Sequence, residues 1–203
     1  MTSKRKEELR LDHKIIGDMV EPGSMVLDMG CGDGDLLEYL VLRKEVKGSG
    51  VEISEKAIYK CVEKGLSVSH GDIDSGLKEY PDRLFDYVIF NQTMQQVHKP
   101  AEAITEALRI GKKAIIGFPN FCYITARFQI FLSGHVPITP SLPYFWYDTP
   151  NLHFLSIKDF KVFCARQEIT MEKSVFLSKN GIVRFMPNLF ALNAIFQISK
   201  NRL

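Results

Sequence analysis

Apolar positions in the first half of the chain fall into two alternating rhythms. Leu11, Ile15, Ile16, Met19 and Val20 recur at helical spacing, and Pro22-Gly23 ends that element. Met25 to Met29 is a short buried strand. The spacing of Leu36, Leu37 and Leu40 predicts a helix from Asp35 to about Arg43, and Gly50 to Ile53 reads as a second strand. Ser54 is placed to cap a helix carrying Ile58, Cys61 and Val62, which stops at Gly65. Ser67 to His70 is a short third strand. Phe85 to Phe90 is apolar with little alternation, the pattern of a central parallel strand. Pro100 opens a helix through Ile104 and Leu108, stopped at Gly111, before a fifth strand from Ala114 to Phe118. Strict alternation of strand and helix argues for parallel pairing with right-handed crossovers. The expectation is a doubly wound, mostly parallel α/β sheet with helices on both faces.

The rhythm breaks after Pro119. From there to His153 the chain is crowded with proline and aromatic residues, among them Phe121, Tyr123, Tyr144 and Trp146. A helix is expected around Cys122 to Leu132, and an ordered loop from Gly134 to Asn151. A connection of that length in a compact domain usually carries function, so this one is expected to border the ligand cleft. Ser156-x-x-Asp159 is a capping-box variant opening a further helix. Ile169 to Leu177 and Ala191 to Ile198 complete seven strands as an antiparallel pair at the sheet edge. Residues 1–203 then form one domain with an aromatic and proline-rich insertion at about 119–153.

The first strand ends in Asp28-Met29-Gly30-Cys31-Gly32-Asp33-Gly34. Alternating glycines admit a ligand where a Cβ would collide, and the next helix starts with its free N–H groups aimed at the same place. Glu52 closes the second strand about twenty residues later, the spacing of a carboxylate that takes ribose hydroxyls. Asp28, Asp33 and Asp35 are acidic and the loop holds no Lys or Arg, so a ligand with an ammonium or sulfonium suits it better than a diphosphate. The loop resembles that of class I S-adenosylmethionine (SAM) dependent methyltransferases, with their Rossmann-like fold. That resemblance implies SAM or S-adenosylhomocysteine held by Asp28, Gly30, Cys31, Gly32, Gly34, Glu52, Ile53, Asp72, Ile73 and Asn91. Asp72 would take the adenine amino group, Ile73 would pack on the ring, and Asn91 would stand where methyl donor meets acceptor.

Composition narrows the field. Of 203 residues, 45 % are hydrophobic and 25 % charged, with a net charge of +2, which argues against nucleic acid or a membrane surface as partner. No apolar run approaches a membrane span and no signal peptide is evident, so a cytoplasmic location is expected. Cys31, Cys61, Cys122 and Cys164 are scattered, suggesting neither a metal site nor a disulfide framework. No G-x-S-x-G elbow occurs, so acyl transfer by a serine triad does not reside here. The Asn/Asp-Pro-Pro-aromatic motif of nucleobase amine methylation is also absent. No catalytic base stands out: Gln92, Thr93, Gln95 and Gln96 are polar but not basic, His98 reads as an exposed turn residue, and structural roles suit His135 and His153.

The insertion carries rarer motifs. Phe118-Pro119-Asn120-Phe121, Leu142-Pro143-Tyr144 and Trp146-Tyr147-Asp148-Thr149-Pro150-Asn151-Leu152-His153 resemble the MetW family of methionine-biosynthesis proteins. His135 departs from that pattern, where an arginine would be expected after Gly134. The resemblance implies a role beside homoserine O-acyltransferase, as partner or regulatory subunit; the alternative is a SAM-dependent methyltransferase acting on a small molecule. The two readings differ in what the insertion does: seal a pocket beside the SAM sulfur, or leave an exposed apolar patch.

Overall fold

The computed structural model describes residues 10–200. Its elements run α1 (Leu11–Met19), β1 (Met25–Met29), α2 (Asp35–Lys44), β2 (Lys47–Glu52), α3 (Glu55–Glu63), β3 (Ser67–His70), α4 (Ile73–Gly76), β4 (Phe85–Asn91), α5 (Pro100–Ile110) and β5 (Gly111–Pro119). There follow α6 (Ile124–Ser133), α7 (Ile157–Arg166), β6 (Thr170–Ser178), β7 (Gly181–Ile182), α8 (Pro187–Phe190) and β8 (Asn193–Ser199). The strands form one sheet in the order β3-β2-β1-β4-β5-β8-β6-β7. Strands β1 to β5 are parallel, while β8 runs antiparallel to both β5 and β6. Order reverses at β1, between β2 and β4, and ligands bind above the carboxyl ends of the strands at such a point.

The seven expected strands are present, joined by a two-residue β7. One placement differs from expectation: β8 lies inside the sheet and the β6–β7 hairpin forms the edge. The reason is burial, since Ala194 to Ile198 are all shut off from solvent whereas the first half of β6 is exposed. Strand β2 starts earlier than its apolar run, at Lys47, and ends at Glu52, which leaves Ile53 beyond it. β5 likewise begins at Gly111, its polar start held by Lys112 on Asp86 and Lys113 on Glu172.

Period-two alternation hides inside the unbroken apolar strands. In β4, Val88 and Phe90 join the core layer under α5 and α7, while Tyr87 and Ile89 join the layer under α1 and α2. The first layer centres on Phe196, which stacks on Phe118 at 5.9 Å and meets Phe160 at 4.8 Å and Phe176 at 5.7 Å. The expected capping box is complete: Ser156 Oγ accepts from Asp159 N–H, and the Asp159 carboxylate accepts from Ser156 N–H. Among the described residues no helix is long and apolar enough to cross a membrane.

Helix α6 breaks the rule that a helix buries its apolar face. Only Ala126 is buried, and Phe131 is 82 % exposed. Replacing Phe196 by Ala is expected to cost about 3–5 kcal/mol, whereas Phe131→Ala should change stability by no more than about 0.5 kcal/mol. Urea unfolding of the two variants measures the contrast.

Candidate functional site

The glycine loop turns off β1 and crosses to β2. Gly30 and Cys31 both donate their N–H to Val51 carbonyl, at 2.8 and 3.2 Å, and Gly34 donates to Cys31 carbonyl before capping α2. Gly30 has φ +71°, and a Cβ there would lie 2.2 Å from Thr93 Cγ2, so no other residue fits. Gly32 also has φ +55°, but a Cβ there would meet nothing within 4 Å and would open into free space.

Two clefts flank Gly30. One, of about 240 Å³, is lined by Glu52, Ile53, Asp72, Ile73, Thr93 and His98, with further contributions from the same segments. The other, of about 270 Å³, is lined by Arg10, His13, Asp28, Cys31, Gly32 and Asn91, again with their neighbours. The expected residues thus divide into two groups. Glu52, Ile53, Asp72 and Ile73 border the first, Asp28, Cys31, Gly32 and Asn91 the second, and Gly30 both. Gly34 stands at the start of α2 and lines neither.

Glu52 does more than its spacing suggested. Its Oε2 accepts from Gly32 N–H at 2.8 Å, and its Oε1 accepts from the N–H groups of Ile53 and Ser54, both at 2.9 Å. A carboxylate offers about four acceptor positions, so one remains for a ligand hydroxyl. Asp72 caps the short α4 by accepting from Asp74 N–H at 2.9 Å. Asp74 in turn accepts from the N–H groups of His98 and Lys99, which fixes the far wall of the first cleft. Ile53 is 62 % exposed, an apolar side chain left on the rim of that cleft.

The acidic rim is more discriminating than the loop sequence indicates. Asp33 pairs with Lys60 at 2.6 Å, and Asp35 pairs with Lys64. Both lysines come from the α3 region, so the loop's lack of basic residues did not reveal them. Asp28 is different: it is 2 % exposed, and among the described residues no cation pairs with it. Burial, with a smaller push from the Glu52 charge, raises its carboxyl from 3.8 to about 7. Burial also pushes up the Cys31 thiol, helped by Asp28, and Cys61 donates to Gly32 carbonyl at 3.2 Å beneath the loop. Both thiols are buried against the loop, where the thiolate form is disfavoured.

Two residues of the second cleft, Arg10 and His13, come from α1 and its approach, read from sequence only as a packing helix. Arg10 grips Asp12 through two nitrogens, at 3.1 and 2.7 Å, and Asn91 Nδ2 donates to Asp12 Oδ2 at 2.9 Å. Burial opposes the Asp12 charge, but the hydrogen bonds from Asn91 and Arg10 hold its carboxyl below the usual range. Asn91 Oδ1 is buried with no partner among the described residues. Apolar spacing reports only the buried side of a helix, so no signal in the sequence marked Arg10, Asp12 or His13.

The insertion does not border the clefts: none of residues 134–151 lines either one. It reaches them indirectly. The carbonyl of Gln95 accepts from the N–H groups of Leu152 and His153 at 2.9 and 3.1 Å, and its neighbours Gln96 and Val97 face the first cleft.

A family model described as methionine biosynthesis protein MetW matches residues 10–198. The bifunctional methionine biosynthesis protein MetXA/MetW of Rhodopirellula baltica is 34 % identical over 189 residues, covering 89 % of this chain and 30 % of its own length. Phosphoethanolamine N-methyltransferase 1 of Arabidopsis thaliana is 31 % identical over 110 residues, or 51 % of this chain and 22 % of its own. The chain therefore spans less than a third of either curated relative. Among solved structures, a SAM-dependent methyltransferase from Thermotoga maritima superposes with TM-score 0.66 at 18 % identity, covering 94 % of this chain and 88 % of that one. Magnesium protoporphyrin IX methyltransferase from Synechocystis, with bound SAH, gives 0.65 at 16 % identity over 93 % and 79 %. The Rossmann-like methyltransferase fold is thereby established.

Asp28 yields a test that needs no ligand. A carboxyl raised from 3.8 to about 7 binds more protons folded than unfolded, so its unfavourable contribution is fully present above about pH 7 and fades toward 3.8. Asp28→Asn is expected to raise the melting temperature at pH 8 and to lose that advantage by pH 4. Calorimetry across this range decides it; an equal gain at both ends would mean that Asp28 is not the group responsible.

Proposed function

Because the chain belongs to the MetW family of methionine biosynthesis proteins, we propose that it binds SAM across the paired clefts and works as partner or regulatory subunit of a homoserine O-acyltransferase. The observation that carries the reading is the uncovered insertion. Trp146 is 73 % exposed and touches Tyr147 edge-on, Tyr147 stacks on Phe145, and the residues of this cluster line neither cleft. Exposed Trp and Tyr at this density are the residue types of interface hot spots. A relative named for MetXA and MetW functions on one chain supports association in trans here.

The residues present fit SAM. Its adenosine would lie in the first cleft, with Glu52 on the ribose and Asp72 and Ile73 at the base. Its amino-acid end would lie in the second cleft, where Asp28 offers the sulfonium or ammonium a charge that no cation among the described residues claims, and Arg10 suits the carboxylate. SAM derives from methionine, so such a protein is placed to report the end product to an early enzyme. The turn from Thr93 to His98 joins the first cleft to Leu152 and His153, and offers the physical route.

Gly32→Val is expected to abolish SAM binding, since it fills the open space and forces a branched residue into positive φ. Glu52→Ala should weaken binding by roughly 1–3 kcal/mol through lost hydrogen bonds. SAM affinity should also fall as pH drops through about 7, where Asp28 takes up its proton, and D28N should flatten that dependence. Isothermal titration reads all three.

Trp146→Ala is expected to leave the melting temperature nearly unchanged and to abolish pull-down of the acyltransferase. Retained pull-down would remove the interface from this loop. Titrating SAM with and without saturating acyltransferase should give affinities differing about 5- to 150-fold, the reciprocal of any effect SAM has on the complex. Equal affinities, together with methylated product from a small acceptor such as a primary amine, would favour the methyltransferase reading that the phosphoethanolamine N-methyltransferase relative suggests.

A further inference from the structure

Outside the paired clefts a third hollow, of about 290 Å³, opens between α5 and α7. Pro100, Ala101 and Ile104 form one wall, Phe160 and Phe163 the other, with Met94 and the segment His153 to Leu155 completing it. It shares no residue with either cleft. We propose that this groove is a second ligand site, for a small neutral molecule with an apolar ring and one hydrogen-bonding group. The inference stands apart from the acyltransferase partnership.

Three features select that chemistry. Volume is the first: an apolar cavity of about 150 Å³ is enough to hold benzene, so a substituted ring fits here with room to spare. The second is His153. Its Nε2 is buried and has no hydrogen-bond partner among the described residues, while its backbone is fixed by the bond to Gln95. Buried polar atoms are nearly always paired, and a ligand hydroxyl can serve either imidazole tautomer, as donor or as acceptor. The third is Asp159, whose carboxylate accepts from Ser156 N–H and Oγ at 3.2 and 2.6 Å beside the groove. Its negative charge disfavours an anionic ligand. Apart from His153 and Asp159, every residue lining the groove is apolar, so a polar ligand would be desolvated without return.

Phenol, benzene and benzoate separate these features when titrated into the full chain and followed by ligand-observed NMR. Phenol should bind, benzene about fivefold more weakly for want of one hydrogen bond, and benzoate not at all. His153→Phe should equalise phenol and benzene. Ala101 is exposed on the first turn of α5, so Ala101→Trp should fill the groove and abolish both without unfolding the chain, leaving S-adenosylhomocysteine binding intact. Phenol binding that survives Ala101→Trp, or that S-adenosylhomocysteine displaces, would overturn the proposal. So would a groove that takes no probe, including the case in which Ala101→Trp instead blocks acyltransferase pull-down and marks a protein-docking pocket.

Discussion

A single carboxylate holds the loop and the sheet in the relation that makes a site. Glu52, at the end of β2, accepts the N–H of Gly32 across the turn and those of Ile53 and Ser54 just beyond its own strand. The backbone bonds from Gly30 and Cys31 to Val51 reinforce the same junction. Without them the loop would have three glycines and little to fix it, since each glycine adds backbone freedom that folding must remove. With them the loop stands open over the point where the strand order reverses. The register that places Asp28 beside Gly50 is what puts Glu52 within reach.

That junction also sorts the charges. Asp33 and Asp35 stand half-exposed on the rim of the second cleft and are matched by Lys60 and Lys64, so they contribute little field toward a ligand. Asp28 is buried, with no cation paired to it among the described residues, and its raised pKa registers the burial. A cleft with one unmatched acid discriminates by charge far better than one with three solvated acids, because only the desolvated group interacts in a low effective dielectric. The same cleft is also lined by Arg10, held to Asp12 and through it to Asn91.

Aromatic residues are divided in the same uneven way. Phe118, Phe160, Phe176 and Phe196 pack face and edge into one core layer. Those of the insertion do not, although the segment itself is firmly anchored. Asn120, fully buried, donates to the carbonyls of Asn188 and Ala191 at its start, and Gln129 ties Ile138 to α6 by both its N–H and its carbonyl. At the far end Leu152 and His153 hang from Gln95. An apolar surface fixed in place by polar anchors has no folding reason to stay uncovered, which is why it reads as an interface.

Local sequence determined most of the architecture. Strands β1 and β4 were legible because a central parallel strand is buried on both faces and shows as an apolar run, whereas β3 lies exposed at the sheet edge and carries no such run. The glycine loop was legible because positive φ and close approach leave few alternatives to glycine. Glu52 was singled out by its spacing from the loop, and Asp72 and Asn91 by the resemblance to methyltransferases. What tertiary structure alone decided are relations between distant segments. The lysines that neutralise Asp33 and Asp35, and the approach of Arg10, Asp12 and His13 to Asn91, depend on helices packing across the sheet edge. The insertion of β8 between β5 and β6 depends on which apolar strand is buried on both sides, and the exposure of Trp146 on there being nothing among the described residues to cover it. Periodicity reports how much surface a segment must bury; it carries no information on what lies against it.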